Sequence, residues 1–192
     1  MRLHTNLICL DIETTDIDST FGSVIQIGAI AINEKFEKLD SFKTYLKPLH
    51  SHRNSAAMAV NRISEDTLSN APTITDAFEM FETFTLQYDD YKRKPLLAAW
   101  GNYFDIPFLK AQYDKIRREW PFGHKSIDLK SIAIWEFGKR NIPFSGGIGQ
   151  GLKYLNLEFD GVYHDGLDDI KNTVTLLQTF ARQDCLKMGW DI

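Results

Sequence analysis

The chain has 192 residues, 43% of them hydrophobic and 25% charged, with 22 Lys plus Arg against 26 Asp plus Glu and a net charge of −4. That length and balance predict one globular domain over residues 1–192, and no apolar run approaches the roughly 20 residues of a membrane span. Met1 is followed by no apolar leader, and Cys9 and Cys185 sit in apolar surroundings, so a cytoplasmic protein with two reduced thiols is expected rather than a secreted disulfide scaffold.

Residues 6–12, with the apolar run Leu7-Ile8-Cys9-Leu10, are predicted to form a buried strand. Val24 to Ile32 is a second, β-branched apolar run. Phe36 to Leu46 alternates apolar and polar residues as a half-buried strand does, with Asn33-Glu34-Lys35 as the hairpin connection. Pro48 to Ser55 reads as a polar loop and residues 64–68 as a short helix. Within Pro72 to Leu86, Ile74, Ala77, Phe78, Phe81 and Phe84 recur at helical spacing, with Thr75 as the predicted cap. A fourth strand over 95–100 leads to a helix over 105–118, a short strand over 126–128 and a helix over 129–138. A glycine-bearing loop over 141–151, a short helix over 152–155 and a long helix over 166–187 complete the order. Three hairpin strands followed by alternating helices and strands predict an α/β fold. Its mixed central sheet has three antiparallel N-terminal strands, then parallel ones, and is flanked by helices.

Four acids and one histidine stand out against this order. Asp11 and Glu13 end the first strand, and residues i and i+2 share one face of a sheet, so both carboxylates can serve one ion while Ile12 points into the core. Asp105 opens a helix, where the macrodipole favours an anion. His164 precedes the last helix, and Asp165, Asp168 and Asp169 are three acids whose periodicity alone does not separate them. Converged carboxylates are ligands for hard divalent cations and repel one another without them. A histidine titrates near neutral pH and can take a proton from water. Each piece alone is weak: with 26 acids, an Asp-x-Glu is more often a solvated strand end, and a lone histidine is more often structural.

Taken in order, Asp11-Ile12-Glu13, Asn102-Tyr103-Phe104-Asp105 and His164-Asp165-Gly166-Leu167-Asp168-Asp169 resemble the three motifs of the DEDD superfamily of DnaQ-like 3′–5′ exonucleases. A histidine five residues before the last acid resembles the DEDDh branch, and that resemblance selects His164 and Asp169. Gly166 and Ile170 stand where the family often has alanine. Trp100 to Tyr103 and Gly166 to Asn172 are similar to ERI-like exonucleases, which act on RNA 3′ ends, whereas Asp11 to Asp16 is more similar to DNA-proofreading members.

The resemblance implies a ribonuclease H-like fold. It implies two divalent metal ions, Mg²⁺ or Mn²⁺, on Asp11, Glu13, Asp105 and Asp169, with His164 as general base. The implied reaction releases 5′-mononucleotides from single-stranded RNA or DNA with a free 3′ end, with Thr14, Thr15, Asn102 and Tyr103 beside the terminal nucleotide. Tyr103 and Phe144 are candidate stacking platforms, although Phe144 suits a core better. Two other readings keep the scaffold. A ribonuclease H-type endonuclease does not require a histidine at this spacing, and a catalytically silent nucleic-acid-binding or interaction subunit would be favoured by a lost ligand, yet all are present.

Setting the four candidate ligands aside leaves 22 acids against 22 Lys plus Arg, so attraction for a polyanion must be local. Candidate patches are Lys92-Arg93-Lys94, Lys115 with Arg117 and Arg118, Lys139-Arg140, and Arg53 with His50 and His52, each of them more often a solvated surface.

Overall fold

A computed structural model describes residues 3–89 and 94–188, and the side chains only up to residue 183. Strands β1 (Leu7–Thr14), β2 (Val24–Ile32), β3 (Lys38–Tyr45), β4 (Leu96–Ala99) and β5 (Ser126–Asp128) form one mixed sheet in the order β3-β2-β1-β4-β5. The first three are antiparallel neighbours, and β1, β4 and β5 run parallel. Helices α1 (Ser55–Asn61), α2 (Glu65–Asn70), α3 (Ile74–Leu86), α4 (Asn102–Lys115), α5 (Leu129–Gly138), α6 (Ile148–Tyr154) and α7 (Gly166–Met188) flank it.

Strand alternation divides the core. Ile8, Leu10 and Ile12 of β1 pack with Phe78 and Phe81 of α3 and with Phe108, Leu109 and Tyr113 of α4. Leu7 and Cys9 face the other way, onto Ile170, Val174 and Leu177 of α7. Asp11 and Glu13 fall on this second face, so the same alternation that buries Ile12 aims both carboxylates toward α7. Cys9 is a buried free thiol that burial pushes up to about 12; the side chain of Cys185 lies outside the described residues.

β1 pairs with β2 over its whole length but with β4 only from Leu7 to Cys9. Its carboxyl-terminal half therefore projects past the end of β4. In open α/β sheets that is where ligands bind. On the other face Gly28, paired with Asp11, lets α7 come close: a Cβ there would lie 2.3 Å from the Gly166 carbonyl carbon and the Leu167 nitrogen.

The predicted elements stand, with physical reasons for the differences. Helix α1 falls where no helix is expected, because Ser55 to Asn61 carries no apolar stripe; Asn54 caps it by accepting from the amides of Ala56 and Ala57. Thr73, not Thr75, caps α3, with its hydroxyl accepting from Asp76 N. Helix α4 starts three residues early, after Gly101 at φ +81°, and holds Pro107 in its interior. Helix α6 begins at Ile148, inside the predicted loop. Among the described residues no helix is long and apolar enough to cross a membrane.

Candidate active site

Two buried features of β2 set the floor of the site. Gln26 stands opposite Glu13 and is 1% exposed, and its Oε1 accepts from Gly166 N at 2.6 Å. A Cβ on Gly166 would lie 3.0 Å from that oxygen and 3.3 Å from Asp11 Oδ2, so glycine here lets the helix start close against both side chains. Sequence reading assigns no role to Gln26 or Gly28. The available signal is one amide and one glycine in a run of nine buried and otherwise apolar residues.

Asp105 arrives from the opposite face of the sheet, in the first turn of α4. Its Oδ1 accepts from Ile12 N at 3.2 Å, and that amide belongs to the part of β1 beyond its pairing with β4. Phe104 and Phe108, 5.4 Å apart, tie the turn to the core.

The start of α7 separates its three acids. Asp165 caps the helix, accepting from Leu167 N at 3.2 Å and Asp168 N at 3.4 Å, and pairs with Lys43 of β3. Asp168 turns back to accept from Val162 N at 2.8 Å. Asp169 is buried, and its Oδ2 accepts from His164 N at 3.0 Å. His164 itself is exposed and lies before the helix, in the left-handed region at φ 64°. Glu13, His164 and Asp169 each offer a ligand atom, and the three atoms lie within 4.8 Å of one another. Asp11 and Asp105 adjoin this trio without being part of it.

Burial raises all four carboxyls, and the charges of the neighbouring acids add to it at Asp11 and Glu13. Asp11 is held well above the ordinary carboxylate range by burial, then by the charges of Asp105, Glu13, Asp169 and Asp165. Glu13 is pushed up to about 8 by burial, then by Asp169, Asp105 and Asp165. Asp105 is pushed up to about 7 by burial, against the pull of Ile12 N–H. Asp169 is raised by burial, while His164 opposes the rise. Glu13, Asp105 and Asp169, all buried, and the half-buried Asp11 form an all-oxygen donor set suited to hard divalent cations.

The residues expected beside the substrate divide. Thr15 is fully buried and occupied: its amide bonds Ser23 O, its carbonyl accepts from Asn54 N, and its hydroxyl accepts from Ser23 N. It closes the strand end. Thr14 is nearly sealed, with its hydroxyl donating to Asp16 O at 2.8 Å and its carbonyl accepting from Asn61 Nδ2 at 3.1 Å. Asn102 donates to Ser126 Oγ at 2.8 Å and so braces α4 against β5. Tyr103 is 74% exposed in the same turn as Asp105. Phe144 packs on Phe137 and Trp100 in the core and is not a stacking platform.

Most of the candidate basic patches are tied up within the fold. Arg53 pairs with Glu65, Arg118 with Glu79 and Glu82, and Lys139 and Arg140 with Glu136. Lys92 and Arg93 lie outside the described residues.

A crowded acidic site with a histidine at its rim, on the overhanging strand of this sheet, defines a nuclease of the ribonuclease H-like fold. Residues 8–177 match the RNase T exonuclease family, and the chain belongs to that family. The DNA polymerase III subunit epsilon of Treponema pallidum is 25% identical over 189 residues, covering 97% of this chain and 81% of the relative. The 3′–5′ exonuclease Snipper of Drosophila melanogaster is 23% identical over 208 residues, covering 97% and 73%. The PolC-type DNA polymerase III of Bacillus cereus is 24% identical over 184 residues, but the chain spans only 12% of it. Among solved structures, the nuclease domain of 3′hExo, a DEDDh family member bound to rAMP, superposes with a TM-score of 0.80 at 21% identity, covering 96% of both chains. E. coli ExoI in complex with single-stranded DNA gives 0.76 at 17% identity, covering 96% of this chain and 42% of ExoI. At these identities the solved structures establish the fold.

Proposed function

We propose that the chain is a metal-dependent 3′–5′ exonuclease, working as one domain, that releases 5′-mononucleotides from single-stranded nucleic acid with a free 3′ end. The observation that carries the reading is the convergence of three buried carboxyls, Glu13, Asp105 and Asp169, and the half-buried Asp11, with an exposed histidine at their rim. The named activity of Snipper supports the direction, and the single-stranded DNA bound by ExoI supports the substrate class.

In this reading Asp11, Glu13, Asp105 and Asp169 hold two divalent cations, Mg²⁺ or Mn²⁺. Bound there, the cations supply Lewis-acid chemistry, acidifying the attacking water and stabilising the leaving 3′-oxygen. His164 takes the proton from the attacking water through a ring nitrogen. Its exposed side chain is open to water, while its amide is fastened to Asp169, which fixes base and ligand relative to each other. Asp105, held by Ile12 N–H, keeps its carboxylate at the strand end without needing a cation to place it. Tyr103 offers an exposed ring on which any terminal base can stack, so base preference is weak. Asn102 braces the turn that presents that ring, and Thr14 shapes the strand end beneath it. A charge-balanced protein holds its substrate with modest, salt-sensitive affinity. The cytoplasm is the proposed compartment, in keeping with the free thiol of Cys9.

The test is a side-by-side digestion of 5′-labelled single-stranded RNA and DNA of one sequence, with Mn²⁺, with and without a 3′-phosphate. A ladder that shortens from the 3′ end and is suppressed by the block is expected. Internal cuts that ignore the block would make the protein an endonuclease, and the absence of any product would make it a binding subunit.

A further inference from the structure

The segment that carries His164 contains no regular secondary structure, yet its backbone is held at every second residue. Asn172, two turns into α7 and 2% exposed, accepts from Asp160 N at 3.0 Å and donates to Asp160 O at 2.9 Å. Its second amide hydrogen goes to Asp168 O at 2.8 Å. Asp168 accepts from Val162 N, and Asp169 accepts from His164 N. The amides of 160, 162 and 164 thus each end on a side chain of α7, so a bent strip that closes in a turn from Val162 O to Asp165 N is fastened to the helix at three points. Gly161, at φ +108°, is required for the fit: a Cβ there would lie 2.3 Å from Asp168 Cγ.

Asn172 is the rung farthest along α7 from Asp169 and the one that is an amide rather than a carboxylate. Burying an amide is costly unless all its hydrogen-bonding groups are used, and here both N–H groups and the oxygen are used. We infer that Asn172 is a positioning residue for His164: it fastens the start of the 160–164 strip to α7 and so sets where the imidazole stands relative to Glu13 and Asp169. The inference rests on the reading of His164 as general base. A base displaced by about 1 Å loses on the order of 10²-fold in rate, so a strip freed at one end loses turnover while the carboxylates stay in place.

The test is a double-substitution cycle. Asn172→Ala is expected to lower kcat by roughly 10- to 100-fold with KM little changed, to leave the Mn²⁺-induced rise in melting temperature in place, and to speed amide hydrogen exchange at 160–164. Placed in a His164→Ala background, it should cost no further turnover, which a general loosening of the fold would not produce. Gly161→Ala, at an exposed position, disturbs the same strip without touching the core and should behave alike; it carries the test if Asn172→Ala does not fold. Equal losses of kcat in both backgrounds, or unchanged kcat in the single variants, would overturn the inference. If His164→Ala alone keeps full turnover, the general-base reading itself has failed, and that result is distinct.

Discussion

Replacing Asp105 separates two effects that the site superimposes. The carboxyl is buried, accepts from Ile12 N–H and is pushed up to about 7. In the unfolded chain an aspartate titrates near its ordinary value of about 4, so at pH 8 the folded, metal-free protein carries an ionised group that burial disfavours. The cost is on the order of a few kcal/mol, since each tenfold change in proton affinity is worth about 1.4 kcal/mol. Asp105→Asn removes the charge and keeps an oxygen for Ile12 N–H. In EDTA at pH 8 it should melt above the parent protein, by roughly 2–4 °C for each kcal/mol relieved. Asp105→Ala removes the charge as well but orphans a buried amide, which costs about 1–3 kcal/mol, so it should melt below the asparagine variant. At pH 5 the folded carboxyl is protonated while the unfolded one is still mostly ionised, so the advantage of asparagine should shrink markedly, and it should vanish only below about pH 4. Both variants should lose nuclease turnover and most of the stabilisation by Mn²⁺. The assay is thermal melting at the two pH values, in EDTA and in Mn²⁺, beside turnover. An alanine variant that melts with the asparagine variant would refute the buried bond, one that keeps turnover would remove Asp105 from the site, and an asparagine variant no more stable than the parent at pH 8 would refute the ionisation cost.

His164→Ala should lower turnover by roughly 10²–10⁴-fold and leave the Mn²⁺-induced melting shift nearly unchanged; an unchanged rate would make it a structural histidine. Asp169→Asn should be far more damaging to turnover than Asp165→Asn or Asp168→Asn, because the latter two acids are engaged with Lys43 and Val162 N; a dead Asp168 variant would move the ligand by one residue. In EDTA, melting temperature should fall as pH rises from about 4 to 8. Glu13 at about 8 and Asp105 at about 7 bind more protons folded than unfolded in that window, so their contribution is present at acid pH and lost through the folded values. Mn²⁺ should reverse the fall, and a flat profile in EDTA would contradict the crowding of the acids.

How much of this was legible in the sequence varies with the kind of physics involved. Asp11 and Glu13 were legible because period-two alternation is a local property of a strand, and β1 ends where the pattern does. The choice among Asp165, Asp168 and Asp169 was not legible from spacing. It depends on main-chain partners: Val162 and His164 lie in a segment with left-handed residues, and Lys43 is 122 residues away. The cap of α3 could have been read correctly. Thr73 and Asp76 stand three apart, the capping spacing, and both Asp76 N and Asp76 Oδ2 bond the Thr73 hydroxyl. Helix α1 offered only Asn54 as a signal, since its alanines satisfy a helix without marking a buried face.

The position of the site rests on two absences that no periodicity encodes. One is the early stop of β4, which leaves Ile12 N–H without a strand partner and opens the space that Asp105 fills from the far face. The other is the missing side chain at Gly28, which lets the first turn of α7 settle on the sheet directly beside Asp11. Each draws in acids that by themselves push the elements apart, as the raised titrations of Asp11 and Glu13 require. The cohesion must come from elsewhere, and it is visible on both sides: Phe108 and Leu109 hold α4 on one face, and Ile170, Val174 and Leu177 hold α7 on the other. The apolar layers therefore carry the metal-free protein through the repulsion, and the proposed cations would offset it when bound.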